Sequence, residues 1–431
     1  MTGAGDTAAG ISVGRRAFLP PPALPLVYFA GSHVSLAFAF GALIARPDVP
    51  GGFHYHPQLV ALVHLVTLGW ISGSVLGAFY IVAPLALGMP FRATWRDAVA
   101  CASFWTGIAA MVAGFWSGRF DLVAAASALV IAPLAFVGAR AMWALRRTRL
   151  PLGVSLHVSL AFANVVGGGL MGLVLAGNRL TGDLPWSPLS LAVAHGHLAV
   201  LGWATMMIFG IAYRLIPMFV PAAMPPGRGL SLSAVLLQIG TLGLTWSLVA
   251  ETAVAPWALL VVGAFGSFFV QVRRIVRQRR PRPADMPRRD WSTWHTHLAL
   301  LYLVIAAVLG LWLTIGAPAA VTWAYGIAGL LGFVGQMVVG IQGRLLPLLA
   351  WYRAMERLDG APPAVSAHRL IEPRLALTIL VLWTAGLPLL TAGLVGEWPA
   401  LIASGAALLL SATGANAWQG ALMVLRAGKR E

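Results

Sequence analysis

The chain has 431 residues, 59% of them hydrophobic and 10% charged, with a formal net charge of +16 and one cysteine, Cys101. A soluble domain carries about 25% charged residues, so this composition excludes an ordinary globular enzyme, and a lone cysteine excludes an internal disulfide framework or a multi-cysteine metal or iron–sulfur site. Apolar runs of roughly 20 residues, long enough to cross the hydrocarbon of a bilayer, recur from end to end and predict an all-α polytopic protein forming a single membrane domain.

The stretch up to Pro22 holds Arg15 and Arg16 but no small-residue cleavage site, so no signal peptide is expected. From there the hydropathy pattern predicts twelve helices, over residues 23–45, 58–88, 98–118, 121–145, 152–177, 188–221, 230–250, 254–276, 294–316, 319–350, 373–394 and 398–425. The basic residues sort by membrane side. Odd-numbered connections hold only Arg46, Arg119 and Arg179, while the others lie at the termini or toward the even-numbered connections, with a cluster from Arg273 to Arg289. The positive-inside rule then places both termini in the cytoplasm, in a bacterial-type inner membrane, and accounts for the charge without nucleic acid as a partner.

Three segments match without gaps: HLVTLGWISGSVLGAFYIVAP from His64, HLAVLGWATMMIFGIAYRLIP from His197 and IAGLLGFVGQMVVGIQGRLLP from Ile327. Each has glycine at its sixth position (Gly69, Gly202, Gly332) and fourteenth (Gly77, Gly210, Gly340), an aromatic at its seventh (Trp70, Trp203, Phe333) and a final proline. The preceding helices match as SHVSLAFAF, LHVSLAFAN and THLALLYLV, which aligns His33, His157 and His297. The expected architecture is three four-helix repeats, about 23–145, 152–276 and 294–425, in three pseudo-symmetric arcs.

The thirteen carboxylates all fall in termini, loops or helix ends, which leaves histidine as the main ionisable residue in the hydrocarbon. Intramembrane ionisable residues mark function, and neutral imidazole is a common metal ligand. His64 and His197 hold the same place in two matched segments, so they are expected to face each other as the axial pair of a haem. His195 precedes His197 by two residues, which on a helix is a turn of roughly 200°, so it addresses a different side and a different cofactor. His33, His157, His295 and His297 are further metal-ligand candidates. Of these His157 shares a helical face with Asn164. His54 and His56 lie in an outer loop, in FHYHP, where solvation is the plainer role and copper the sharper one. Tyr80 and Tyr213 are equivalent, and Arg214 and Arg344 read as orientation anchors or headgroup contacts.

The segment from Ala194 to Pro217, AHGHLAVLGWATMMIFGIAYRLIP, resembles the haem-binding helix of haem-copper oxidase subunit I, especially the C-type oxidases and nitric oxide reductases. The resemblance implies that fold of twelve helices in three arcs, a high-spin haem on His195, and a low-spin haem held by His197 with His64. Here the H-x-H lies on the sixth predicted helix rather than the tenth, the tenth has no histidine, and the seventh lacks the adjacent histidines of a copper site. The expectation is therefore a divergent relative without a proton pump or a complete copper site. It is a possible oxidoreductase with one haem b or two, acting on nitric oxide or oxygen. Its electron donor would be a cytochrome c or a quinol, with an additional membrane subunit as a further partner. No C-x-x-C-H motif occurs, so any haem is held non-covalently. Two other readings stay open: a non-catalytic haem electron carrier or gas-response protein, and a histidine-lined transporter of metal or small molecules.

Overall fold

The computed structural model describes residues 23–51, 55–224, 227–281, 290–358, 363 and 365–427. Twelve helices among them are long and apolar enough to span a membrane: α1 (Leu24–Ala45), α2 (Pro57–Leu85), α3 (Trp95–Ser117), α4 (Phe120–Leu145), α5 (Leu152–Thr181), α6 (Pro188–Phe219), α7 (Gly227–Val249), α8 (Ala255–Arg277), α9 (Trp291–Leu313), α10 (Val321–Arg357), α11 (Pro373–Val395) and α12 (Pro399–Ala427). No strand occurs among the described residues. Hydrocarbon offers the backbone no hydrogen-bond partners, so each span satisfies its own by coiling. The protein is an all-α, multi-pass membrane protein.

Most boundaries differ from the hydropathy spans by up to four residues, the end of α10 by seven, and two of the differences have a clear cause. α3 begins at Trp95 because Thr94 and Asp97 form a capping box that satisfies its first amides. α10 runs on to Arg357, because its last turns are helical but polar, and hydropathy finds only the apolar part.

The apolar windows of α2, α6 and α10 are 61%, 67% and 61% buried within the protein, against 17–44% for the other spans, so these three form the centre. α12 packs along α1 and closes the ring around them. Each central helix widens into π-helix for eight residues, at Leu65–Ser72, Leu198–Thr205 and Ala328–Gly335. Every one of these stretches starts at the second residue of a matched segment. π turns are rare and cluster at functional sites.

Below them, toward the even-numbered connections, the three helices line a partly open central cavity spanning about 540 Å³. The eleventh positions Ser74, Met207 and Met337 line it, as do the twelfth, Val75, Ile208 and Val338, and the fifteenth, Ala78, Ile211 and Ile341. Equivalent residues thus meet around one axis.

The outer helices dock on the repeated glycines. Ser35, Asn164 and Tyr302 lie against Gly69, Gly202 and Gly332, and Tyr28, His157 and His295 against Gly77, Gly210 and Gly340. A Cβ on Gly210 would come 2.5 Å from that of His157, so glycine is what permits the approach. This packing register corrects the alignment of His33, His157 and His297. The residues that share a place are Tyr28, His157 and His295, because inner-helix glycines two turns apart set the register rather than local likeness of apolar strings.

Candidate functional site

A cavity lies between α2, α3, α4, α5 and α6, with Leu330 and Val334 of α10 at its edge, and spans about 830 Å³ of partly open space. His64 reaches it from α2, at the last residue before the π stretch, and His195 from α6. Their rings are nearly parallel, 21° apart in plane, with centroids separated by 6.2 Å. Phe115 of α3 lies 5.1 Å from the His64 ring. The walls are apolar, with Met111, Val130, Leu134, Val165 and Trp203 among them.

Both imidazoles are oriented by backbone. His64 Nδ1 donates to Val60 O at 2.8 Å and His195 Nδ1 to Gly168 O at 2.9 Å. That assignment places the proton on Nδ1 and leaves each Nε2 with a lone pair able to bind a metal. A bond from the other ring nitrogen to a backbone carbonyl is the usual companion of a metal-binding histidine. The cavity's hydroxyls are committed elsewhere. Thr67 donates to Val63 O, Ser72 to Thr67 O and Ser127 to Val123 O, and Trp203 Nε1 donates to Ser72 Oγ.

Glycines on α5 make the space. Gly168, Gly169 and Gly172 line the cavity, and a Cβ on Gly172 would sit 3.1 Å from His195 Cε1. The run VVGGGLMG that contains them is a sequence signal that the histidine-centred reading passed over. Gly172→Leu is expected to push the His195 ring aside and to lower haem retention at least tenfold, a loss typical of disturbed ligand support, as read by absorbance. Gly177→Leu, in open space on the same helix, should leave retention unchanged, and equal behaviour of the two would remove Gly172 from the site.

The structure pairs His64 with His195, and this corrects the expected pairing of His64 with His197. His197 faces away, toward α10. Its Nδ1 donates to Val193 O at 2.8 Å and its Nε2 accepts from the Tyr325 hydroxyl at 3.0 Å. The roughly 200° turn between the two α6 histidines points them at different neighbours, as the spacing predicted, His195 at His64 and His197 at Tyr325. Tyr325 is a partner that the sequence reading missed, since it precedes the matched segment.

The other metal candidates are not brought together. Among the described residues no three His, Cys, Asp or Glu side chains group closely enough to hold one metal ion. His33 bonds Phe29 O and Asn416, and Asn416 continues to Gln342 and Ser74. His157 bonds Gly153 O and Ser233, which also meets Tyr213. Asn164 bonds Gln238 and Gly202 O, so it ties α5 to α6 and α7. His295 pairs with Gln336, and His297 is exposed beside Trp294. His56 caps α2, accepting from the Gln58 amide, and His54 lies outside the described residues.

The donor set suits a flat metal macrocycle better than a bare ion. Two imidazoles bound to one metal from opposite sides, each through a bond of about 2.0–2.1 Å, hold their centroids roughly 6 Å apart, and the separation found is 6.2 Å. A bare ion would lack further ligands here, whereas a haem brings four of its own and asks the protein for apolar walls and axial nitrogens. No family model matches the chain, and neither does any curated protein.

Proposed function

We propose that the protein is a haem-binding membrane redox protein in which His64 and His195 are the two axial ligands of a single b-type haem, and that its task is to carry electrons. The observation that supports this most is the facing pair of imidazoles, each with Nδ1 fixed by a carbonyl and Nε2 free, across an apolar cavity. When bound, the haem supplies one-electron chemistry. His64 and His195 would hold it, and the apolar walls contributed by α3 and α4 would limit the access of water. With two imidazoles to bind the metal and, among the described residues, no group of three His, Cys, Asp or Glu to hold a second one, the arrangement favours electron transfer over reduction of nitric oxide or oxygen. The resemblance of Ala194–Pro217 to the haem-binding helix of haem-copper oxidases supports the same cofactor in a divergent relative built of three repeats.

His64 and His195 lie about two turns inside the ends of α2 and α6 that start at Pro57 and Pro188. With the basic residues on the cytoplasmic side of an inner membrane and both termini there, this end is the outer one, where a cytochrome c or a quinol has access. The test is the purified protein itself. It should carry one non-covalent haem per chain with the sharp bands of a six-coordinate, low-spin centre. A colourless protein that refuses haem on reconstitution would sink the proposal and favour a transporter.

A further inference from the structure

The three seams of the outer ring are not alike. α4 packs along α5 and α12 along α1, but α8, in the corresponding place, meets α9 only sparsely. α8 leans on α7 and α6, and α9 on α10 and α11. The apolar windows of α1, α4, α5 and α12 are 39–44% buried, whereas those of α8 and α9 are 33% and 17%. Of α9 only His295, Ala299, Leu303 and Ala306 are buried. Leu301, Val304 and Val308 stay uncovered, as do Val270 and Val276 of α8. The seam between α8 and α9 is therefore an apolar cleft that hydrocarbon has to fill, because an empty gap would forfeit dispersion contacts on both walls.

One end of the cleft is strongly basic. Arg273, Arg274 and Arg277 close α8, Arg279 and Arg280 follow, and all five are exposed. The Arg280 amide donates to Pro221 O at 2.7 Å, which ties this connection to the end of α6. Among the described residues no carboxylate pairs with any of the five, and Asp290, just ahead of α9, is taken by Arg344. Trp294, exposed on the first turn of α9, is of the type that sits at headgroup level. We infer that the α8–α9 cleft seats an anionic phospholipid, its acyl chains between the two helices and its headgroup phosphate on the α8 arginines. Guanidinium binds phosphate through paired, charge-assisted hydrogen bonds, and basic pockets between membrane helices take anionic headgroups. The α4–α5 connection supplies the contrast. Arg146, Arg147 and Arg149 make it basic too, but its seam is closed. Charge alone would hold lipid at both places, whereas charge joined to an open cleft holds it only at α8.

The experiment follows phosphatidylglycerol bound to the full chain in detergent by native mass spectrometry, with zwitterionic phosphatidylcholine as the control. The native protein should retain phosphatidylglycerol in preference to phosphatidylcholine. An arginine beside an anionic headgroup is worth about fivefold in affinity, so the triple variant Arg273→Gln, Arg274→Gln, Arg277→Gln should bind roughly a hundredfold more weakly. The triple variant Arg146→Gln, Arg147→Gln, Arg149→Gln should bind as the native protein does, and thermal unfolding reports that both are folded. Inorganic phosphate and short-chain phosphatidylglycerol should fail to displace the long-chain lipid at equal concentration, since neither fills the cleft, and this comparison needs no variant. Equal loss in the two triple variants, no loss in the α8 variant, or displacement by inorganic phosphate overturns the inference. So does a stable dimer of the chain that excludes the lipid, because the cleft would then be an interface between copies.

Discussion

His64→Ala and His195→Ala are each expected to abolish the low-spin haem spectrum, and to the same degree, while His197→Ala leaves it in place. Each of the first two removes one end of a single coordination axis. Loss of an oriented supporting group around a metal ligand costs about 10–100-fold in affinity, and loss of the ligand itself should cost at least the upper end of that range. His197 is excluded from the axis by helix geometry. Two residues apart on α6 means a turn of roughly 200°, so only one of the pair is able to enter the cavity, and the ring beside His64 is that of His195. The measurement is absorbance of the reduced proteins at equal concentration, with titration of haem into each apoprotein. Retention of the bands in His195→Ala together with their loss in His197→Ala would restore the pairing expected from the sequence and overturn the one described by the structure.

That pairing shows where the sequence was legible and where it was not. The twelve spans followed from apolar length alone, since hydrocarbon dictates it. The candidate histidines followed too, because an imidazole in a membrane stands out against leucine and alanine. Their partners did not follow. Equivalent residues of repeats face each other when the repeats are related by a two-fold axis. Repeats arranged head to tail around a ring instead bring one patch against a different patch of the next. The opening histidine of one segment therefore meets the residue two before the opening of the next. His64 finds His195, His197 finds Tyr325, and no alignment of like with like reveals this. The π stretches were equally hidden, since LVTLGWIS, LAVLGWAT and AGLLGFVG carry no composition that separates π from α. Asp97 does lie at a helix end, as the hydropathy pattern places the carboxylates, in the first turn of α3. That pattern carries no sign that its side chain is fully buried.

Asp97→Ala is expected to destabilise the folded protein by about 3–5 kcal/mol, the cost of leaving one partner of a buried ion pair uncompensated. The carboxylate accepts from the Tyr80 hydroxyl at 2.6 Å, the Thr94 amide at 2.7 Å and the Thr94 hydroxyl at 2.6 Å, and it pairs with Arg140. Arg140 in turn donates to Arg92 O at 2.6 Å and lies over the ring of Phe91. One group thus ties α2, α3 and α4 together at the ends away from the His64–His195 cavity. Asp97→Asn keeps the shape and part of the cap, so its loss should be smaller than that of Asp97→Ala. Arg140→Met alone should be harmful because it strands the carboxylate. Adding Arg140→Met to Asp97→Asn should recover part of the stability, since no unpaired charge then remains. The measurement is thermal unfolding of the four proteins in detergent, read as a double-mutant cycle. Strictly additive losses would show that the two charges do not support each other. α2, α3 and α4 would then owe their arrangement to apolar packing and to neutral hydrogen bonds such as Ser103 Oγ to Leu129 O. A large coupling with an unchanged low-spin spectrum at low temperature would place Asp97 in the frame of the cavity and outside its chemistry.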